Sequence, residues 1–289
     1  MPFFQRSLVP AFATLFGLGL VFGRQSEQPS VRAEKVAGAV SVLFGQGGNI
    51  GVSSGADGLL IVDDQFERMV PEIEAALAKL APGRAAPRFL VNTHHHGDHT
   101  GGNAHFGKSA VVLAHENVRA RLLDEKAPAT ALPVVTYADG IVLHLNGEEI
   151  RVLHVPGAHT DGDSVVWFKG SNVAHLGDLY FQLGYPFVDV ASGGNVLGLI
   201  EGLRRLLPEL PADVRLVPGH GVVTGKQDLE EYVKMLETLT ARVREHLAEG
   251  RDVKAMLAAG VTKDFDPRWG NFAFVPPENF VASVVASLR

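Results

Sequence analysis

The chain has 289 residues, 46% of them hydrophobic and 20% charged, with a formal net charge of −6. That is enough apolar sequence for one large core, and the scattered basic residues exclude the concentrated positive footprint of a nucleic-acid binder. No cysteine is present, so disulfides and thiolate metal ligands are both excluded.

At the N-terminus, Arg6 precedes an uncharged apolar run from Leu8 to Gly23. A short positive start followed by such a run is the layout of a secretory signal peptide. The run is short for a bilayer span and contains Pro10 and two internal glycines, Gly17 and Gly19, which weakens a membrane-anchor reading. Residues 1–35 are therefore expected to be signal peptide and linker, and residues 36–289 a single domain. The mature protein is expected to be periplasmic or secreted without stable membrane association, an uncleaved anchor being the alternative.

Val36 to Phe44, Asn49 to Ser53 and Leu59 to Val62 read as strands parted by Gly-rich turns, hence an antiparallel meander. Apolar residues at Met69, Ile73, Ala76, Leu77 and Leu80 have helical spacing, and Pro71 is tolerated in a first turn. Arg88 to Asn92 is a short buried strand. Thr100 to Phe106 reads as a short helix, Ala110 to Leu113 as a strand and Glu116 to Leu123 as a helix. Five strands follow in quick succession: Val134-Val135, Ile141 to Leu145, Ile150 to Val155, Val165 to Phe168 and Val173 to Leu176. Asn195 is a natural entry to an amphipathic helix ending near Leu207. Val214 to Val217 is a further strand, Lys226 to Glu249 a long helix and Asp252 to Ala259 a short one. The aromatic tail Phe265 to Phe274 is expected mainly in the core. The order strands–helix–strand–helix occurs twice, which suits two sheets with helices outside.

The most informative stretch is Thr93-His94-His95-His96-Gly97-Asp98-His99-Thr100-Gly101-Gly102. It sits where a buried strand ends and a loop begins. In an extended chain residues two apart face the same way, so His94 and His96 can grip one ion while His95 points elsewhere. Gly97 bends the chain and lets Asp98 and His99 reach a second. Imidazole and carboxylate suit zinc and its first-row neighbours.

His94-x-His96-x-Asp98-His99 is followed in order by Pro156-Gly157-Ala158-His159-Thr160, Leu176-Gly177-Asp178 and Pro218-Gly219-His220-Gly221. This series resembles the metallo-β-lactamase superfamily of metallohydrolases. The resemblance implies an α+β fold, a four-layer αββα sandwich. It implies that His94, His96 and His159 bind a first metal, that Asp98, His99 and His220 bind a second, and that Asp178 bridges them. Asp63, at a strand end, is implied to support the His loop from behind. Two Zn2+ ions per chain are expected, with iron or manganese as alternatives.

Two ions about 3.5–4 Å apart can share a water and lower its pKa towards neutrality, so that it attacks a polarised carbonyl. Asp98 would orient that nucleophile or pass its proton to the leaving group. Tyr180, two residues after Asp178, is a candidate donor to the developing oxyanion. Tyr185 to Asp189 and the aromatic tail are candidates for shaping the substrate pocket. One β-lactamase subclass holds its second metal with a Cys, absent here, whereas Gly177-Asp178 resembles the bridging carboxylate of glyoxalase-type thioesterases and lactonases. With the export signal, the expectation is an exported dinuclear zinc hydrolase that opens a small-molecule cyclic amide or ester, with β-lactamase-like activity as the main reading. A lactonase or glyoxalase-type thioesterase is the first alternative, and an iron-dependent dioxygenase of the same fold the second.

Overall fold

A computed structural model describes residues 30–289 apart from Ala85; the expected signal sequence lies outside the described residues. The chain opens with four strands, β1 (Arg32–Ala37), β2 (Val40–Phe44), β3 (Ile50–Gly55) and β4 (Gly58–Val62), paired antiparallel in succession. The expected meander is therefore present, but β1 begins inside the stretch read as linker. Its first four residues are exposed, and a polar edge strand of this kind carries little apolar signal in the sequence.

Helix α1 (Val70–Leu80) crosses to β5 (Pro87–Val91), followed by the short helices α2 (Gly97–Thr100) and α3 (Asn103–Phe106), strand β6 (Val111–His115), helix α4 (Glu116–Asp124) and strand β7 (Val135–Tyr137). These complete a seven-stranded sheet in the order β1 to β7, with β4, β5, β6 and β7 parallel. The second sheet contains β8 (Gly140–Leu145), β9 (Glu148–His154), β10 (Ser164–Phe168), β11 (Val173–Phe181), β12 (Arg215–His220) and the two-residue β13 (Thr224–Gly225). Helix α5 (Val196–Leu206) links β11 to β12. Asn195 caps it, accepting from the Leu197 and Gly198 backbone N–H groups. Helices α6 (Lys226–Ala248), α7 (Val253–Ala258), α8 (Asp266–Trp269) and α9 (Pro277–Ser287) close the chain.

Alternation along the strands sorts the core into three layers. Leu60 and Val62 point between the sheets and meet Ile150, Val152, Val166, Phe168 and Val217 of the opposite sheet. Their neighbours Leu59 and Ile61 turn outward and pack under Ile73 and Leu77 of α1. On the far side, Val165, Ala174 and Leu216 pack under Leu199 and Leu203 of α5, Leu236 of α6 and Val284 of α9. The result is helix, sheet, sheet, helix: the αββα sandwich. Strands buried on both faces read as continuous apolar runs, which is why Leu59 to Val62 and Val165 to Phe168 stood out.

Two shifts in the pairing of β11 with β12, between His175 and Gly177 and between Gly177 and Phe181, open the sandwich at one end. Between β11 and β12, Gly177 pairs with Pro218 but Phe181 pairs with His220, a shift that breaks regular alternation. The C-terminal ends of β4, β5 and β12, with the β9–β10 connection, then deliver their loops to the same edge. Beyond α8, the segment Gly270–Pro276 passes along that edge before α9 begins. Tyr185 holds its near end: its hydroxyl donates to Asp266 at 2.9 Å and its backbone N–H donates to the Trp269 carbonyl at 2.9 Å.

Candidate metal centre

Asp63 ends β4 with a positive φ of 64° and is wholly buried. Its Oδ1 accepts the Thr93 backbone N–H at 2.7 Å, and its Oδ2 accepts both the Thr93 hydroxyl at 2.7 Å and His99 Nδ1–H at 2.8 Å. One carboxylate thus pins both ends of the His loop, the supporting place expected for it. Asp64 lies under Gly102, accepting its N–H at 2.9 Å, and is not part of the cluster.

Hydrogen bonds on the outer side of each ring decide what faces inward. Thr93 spends its single proton on Asp63, so its oxygen accepts Nδ1–H of His94 at 3.1 Å. His159 donates Nδ1–H to the Phe187 carbonyl at 2.8 Å, and His96 donates Nε2–H to Asp189 Oδ2 at 3.1 Å. The remaining nitrogens are lone pairs, and they converge. His96 Nδ1 lies 3.1 Å from His94 Nε2 and 3.0 Å from His159 Nε2. Three lone pairs at this range repel one another unless a cation sits among them.

The second set is arranged alike. With its Nδ1–H committed to Asp63, His99 turns Nε2 inward, 3.4 Å from His220 Nε2 and 3.3 Å from Asp178 Oδ1. His220 Nε2 lies 3.1 Å from Asp98 Oδ2. Asp178 stands between the sets, its Oδ2 3.6 Å from His159 Nε2 and its Oδ1 3.6 Å from His220 Nε2. That Oδ1 is buried without a hydrogen-bond partner, an expensive state for a carboxylate oxygen. The donor atoms of His94, His96 and His159, those of His94, His99 and Asp178, and those of Asp98, His99 and His220 each fall within 4.8 Å of one another. The chemistry of these donors, their inward lone pairs and the orphaned Asp178 oxygen all fit divalent first-row metal ions.

Electrostatics point the same way. Burial pushes the pKa of His94 well down and that of His159 down to about 4, keeping both neutral as ligands must be. For His99, burial is outweighed by Asp178, Asp63 and Asp98, which raise its pKa well above the ordinary value. Burial would raise Asp178, but His220 and His99 hold it well below the usual carboxylate range. The second half of the cluster therefore favours positive charge among its carboxylates.

Close backbone approach makes the cradle. A Cβ on Gly219 would lie 1.9 Å from Asp178 Oδ1, and one on Gly48 would lie 2.2 Å from the His99 ring. The cluster forms the floor of a cleft of about 530 Å3. Asp98, 27% exposed, is the floor carboxylate most open to it.

Seven residues expected as ligands, His94, His96, Asp98, His99, His159, Asp178 and His220, thus come together. Tyr180 does not join them. It is fully buried beside Tyr232, with its hydroxyl 3.5 Å from Thr224 Oγ1. The register shift after Gly177 turns it into the core behind the sheet, so its expected oxyanion role is corrected to packing. The tail divides: Trp269 is core, with Phe265 packed against the same cluster, as expected, while Phe272 and Phe274 line the cleft. Three contributors carried no motif: Asp189 and the Phe187 carbonyl, which orient His96 and His159, and Asn49. Asn49 donates to the carbonyls of Pro218 and Gly221 at 2.9 and 3.0 Å, holding the His220 turn.

A family model described as the metallo-beta-lactamase superfamily matches residues 51–220, an interval that contains every residue of the cluster. A hydroxyacylglutathione hydrolase of Methylococcus capsulatus is 28% identical over 194 residues, 66% of this chain and 69% of the relative. Its counterpart in Anaeromyxobacter dehalogenans is 31% identical over 190 residues, 65% and 67% of the two chains. For that of Rhodospirillum rubrum the figures are 29% over 173 residues, 59% and 60%. The chain thus spans 60% to 69% of the length of these relatives. Among solved structures, a metallo-beta-lactamase from Pontibacter korlensis superposes with a TM-score of 0.61 at 19% identity, covering 72% of this chain and 99% of that one. The DIM-1 metallo-beta-lactamase gives 0.63 at 20% identity, with 73% and 98% covered. At such identities the likeness is one of fold. From the match over residues 51–220 and the shared sandwich, the chain belongs to the metallo-β-lactamase superfamily.

Proposed function

We propose that this protein is a dinuclear zinc hydrolase of thioesters or esters, nearer in activity to glyoxalase-type thioesterases than to β-lactamases. The observation that carries the reading is Asp178, a buried carboxylate with one oxygen toward each histidine set and one oxygen unpartnered. The hydroxyacylglutathione hydrolases among its relatives support thioester chemistry, whereas the β-lactamase likeness is structural. His94, His96 and His159 would hold one ion, Asp98, His99 and His220 the other, with Asp178 shared.

When bound, the ions would supply a polarising charge and a water acidic enough to give up a proton near neutral pH. The protein's own groups do the rest. Asp63 and Asp189 keep His99 and His96 turned with their lone pairs inward. Asp98 accepts the proton of the attacking water as its oxygen bonds to the acyl carbon. It then returns that proton to the sulfur or oxygen as the bond to the leaving group breaks, giving a carboxylic acid and a thiol or alcohol. Export, supported by the apolar run Leu8 to Gly23, is part of the proposal.

The test is metal analysis of the purified protein followed by turnover of an acyl thioester, an acyl lactone and a chromogenic β-lactam. Two zincs per chain, with thioester kcat/KM at least tenfold above that for the β-lactam, are expected. A β-lactam preference would return the main reading to β-lactamase. One iron without hydrolysis would point to oxygenation instead.

A further inference from the structure

We infer that the substrate entering this cleft is uncharged and apolar around its scissile bond, an alkyl or aryl thioester or ester, and not a conjugate of an anionic peptide thiol. The inference rests on the hydrolase reading and narrows it.

The floor of the cleft is polar, but its walls are not. Phe66, Phe181, Phe187, Phe272 and Phe274 line it. Four of these rings form a continuous run: Phe181 and Phe272 have centroids 5.2 Å apart, Phe272 and Phe274 6.1 Å, and Phe274 and Phe187 5.7 Å. Edge-to-face and tilted rings at such distances make a firm apolar surface. The far end of the run reaches the floor, since Phe187 lies 6.0 Å from His96 and 5.9 Å from His159.

The wall is not hidden in the core. Phe274 is 65% exposed and Phe187 38%. Five of the eight large hydrophobic residues that stand exposed among the described residues are Leu183, Phe187, Val190, Val222 and Phe274. All lie on the segments after β11, after β12 and between α8 and α9, and of the five Phe187 and Phe274 line the cleft itself. Apolar surface concentrated beside a polar site marks what the site binds.

Charge argues against an anionic partner. Among the described residues no Lys or Arg lines the cleft, so beyond the metal floor it offers no side-chain cation to a carboxylate. A glutathione conjugate carries two carboxylates, and carboxylate recognition is the province of Arg and Lys. Arg68, at the rim, is already engaged, stacked 4.0 Å over Phe66 and donating to Gln46 at 3.1 Å. Phe272 and Phe274 also lie beyond the 51–220 interval of the family match, so this part of the wall belongs to this chain's own C-terminal region.

The test uses the zinc-loaded full chain and S-methyl thioesters from acetyl to octanoyl, with S-lactoylglutathione as the anionic probe. A thioacylcholine and its neutral 3,3-dimethylbutyl isostere complete the set. We expect kcat/KM to rise about fourfold for each methylene until the cleft fills, the effect of burying one methylene group. The octanoyl thioester should exceed S-lactoylglutathione at least tenfold, and the neutral isostere should match or exceed the choline compound. Phe274→Ala should reduce the gain to about twofold per methylene, chiefly through KM. Phe274→Arg should raise S-lactoylglutathione turnover at least fivefold. Binding gives a readout apart from turnover: octan-2-one should bind at least tenfold more tightly than butan-2-one by ligand-observed NMR. A flat chain-length series, or tenfold preference for the glutathione or choline compound, overturns the inference and leaves the hydrolase reading intact. Graded ketone binding without turnover of any thioester overturns the hydrolase reading and keeps the apolar cleft. Loss of both overturns the two together.

Discussion

The floor and the wall of the cleft are built by opposite rules. On the floor, the outer nitrogens of His94, His96, His99 and His159 are each bonded to a named partner, and Asp63, Thr93 and Phe187 fix ring orientation. On the wall, the phenylalanine rings are held by packing, against one another and against His96, His159 and His220, with no hydrogen bond from the rings themselves. The floor is held by directed hydrogen bonds; the wall, buried at Phe181 and exposed at Phe274, is held by contact alone. A region of the first kind tolerates little change, because each lost bond leaves a buried group unpaired. A region of the second kind can change shape at small cost. Chemistry and selectivity are therefore separable in this molecule.

The separation can be broken most directly at Asp98. Asp98→Ala should leave the fold intact, judged by circular dichroism, and lower kcat at least a thousandfold without altering the chain-length preference; retained turnover would refute its role as proton carrier. Asp63→Asn should come next. The amide would set an N–H2 group against either the Thr93 backbone N–H or the Thr93 hydroxyl and His99 Nδ1–H together, so one pin of the loop fails. Metal affinity should fall about 10- to 100-fold, measured by competition with a chelating dye. Asp189→Asn touches His96 alone among the ligands, its other side-chain partner being the Ser192 N–H, and should weaken the first site about tenfold by the same assay, sparing the second. The smallest effect is expected from Tyr180→Phe: a less than twofold change in kcat and unchanged metal content. A tenfold fall in kcat there would place its hydroxyl back in the reaction.

The parts legible in the sequence were those that obey a local rule. The His loop declared itself because its donors are contiguous and follow a buried strand, and the helices because apolar spacing repeats along them. Asp189 could not be read that way: it reaches His96 across 93 positions of sequence and belongs to no spacing pattern. Tyr180 misled for a geometric reason. Alternation puts residues 178 and 180 on one face of a regular strand, but the pairing shift between Gly177 and Phe181 breaks the alternation there. Helix α9 is not among the expected elements, although Phe280, Val281, Val284 and Val285, all buried, have helical spacing. The tail was half right, since one short aromatic stretch feeds both the core and the cleft.

The segment Gly270–Pro276 is anchored at both ends by groups that never touch the metal floor. Tyr185 ties down α8 on one side. On the other, α9 packs into the core through Phe280 and Val284, and its Ser287 Oγ accepts the Val196 N–H at 2.9 Å. Substitutions at Asn271 to Phe274 can accordingly be exchanged as a cassette, in the laboratory or by drift, and each exchange redraws the list of accepted molecules while the reaction performed on them stays the same.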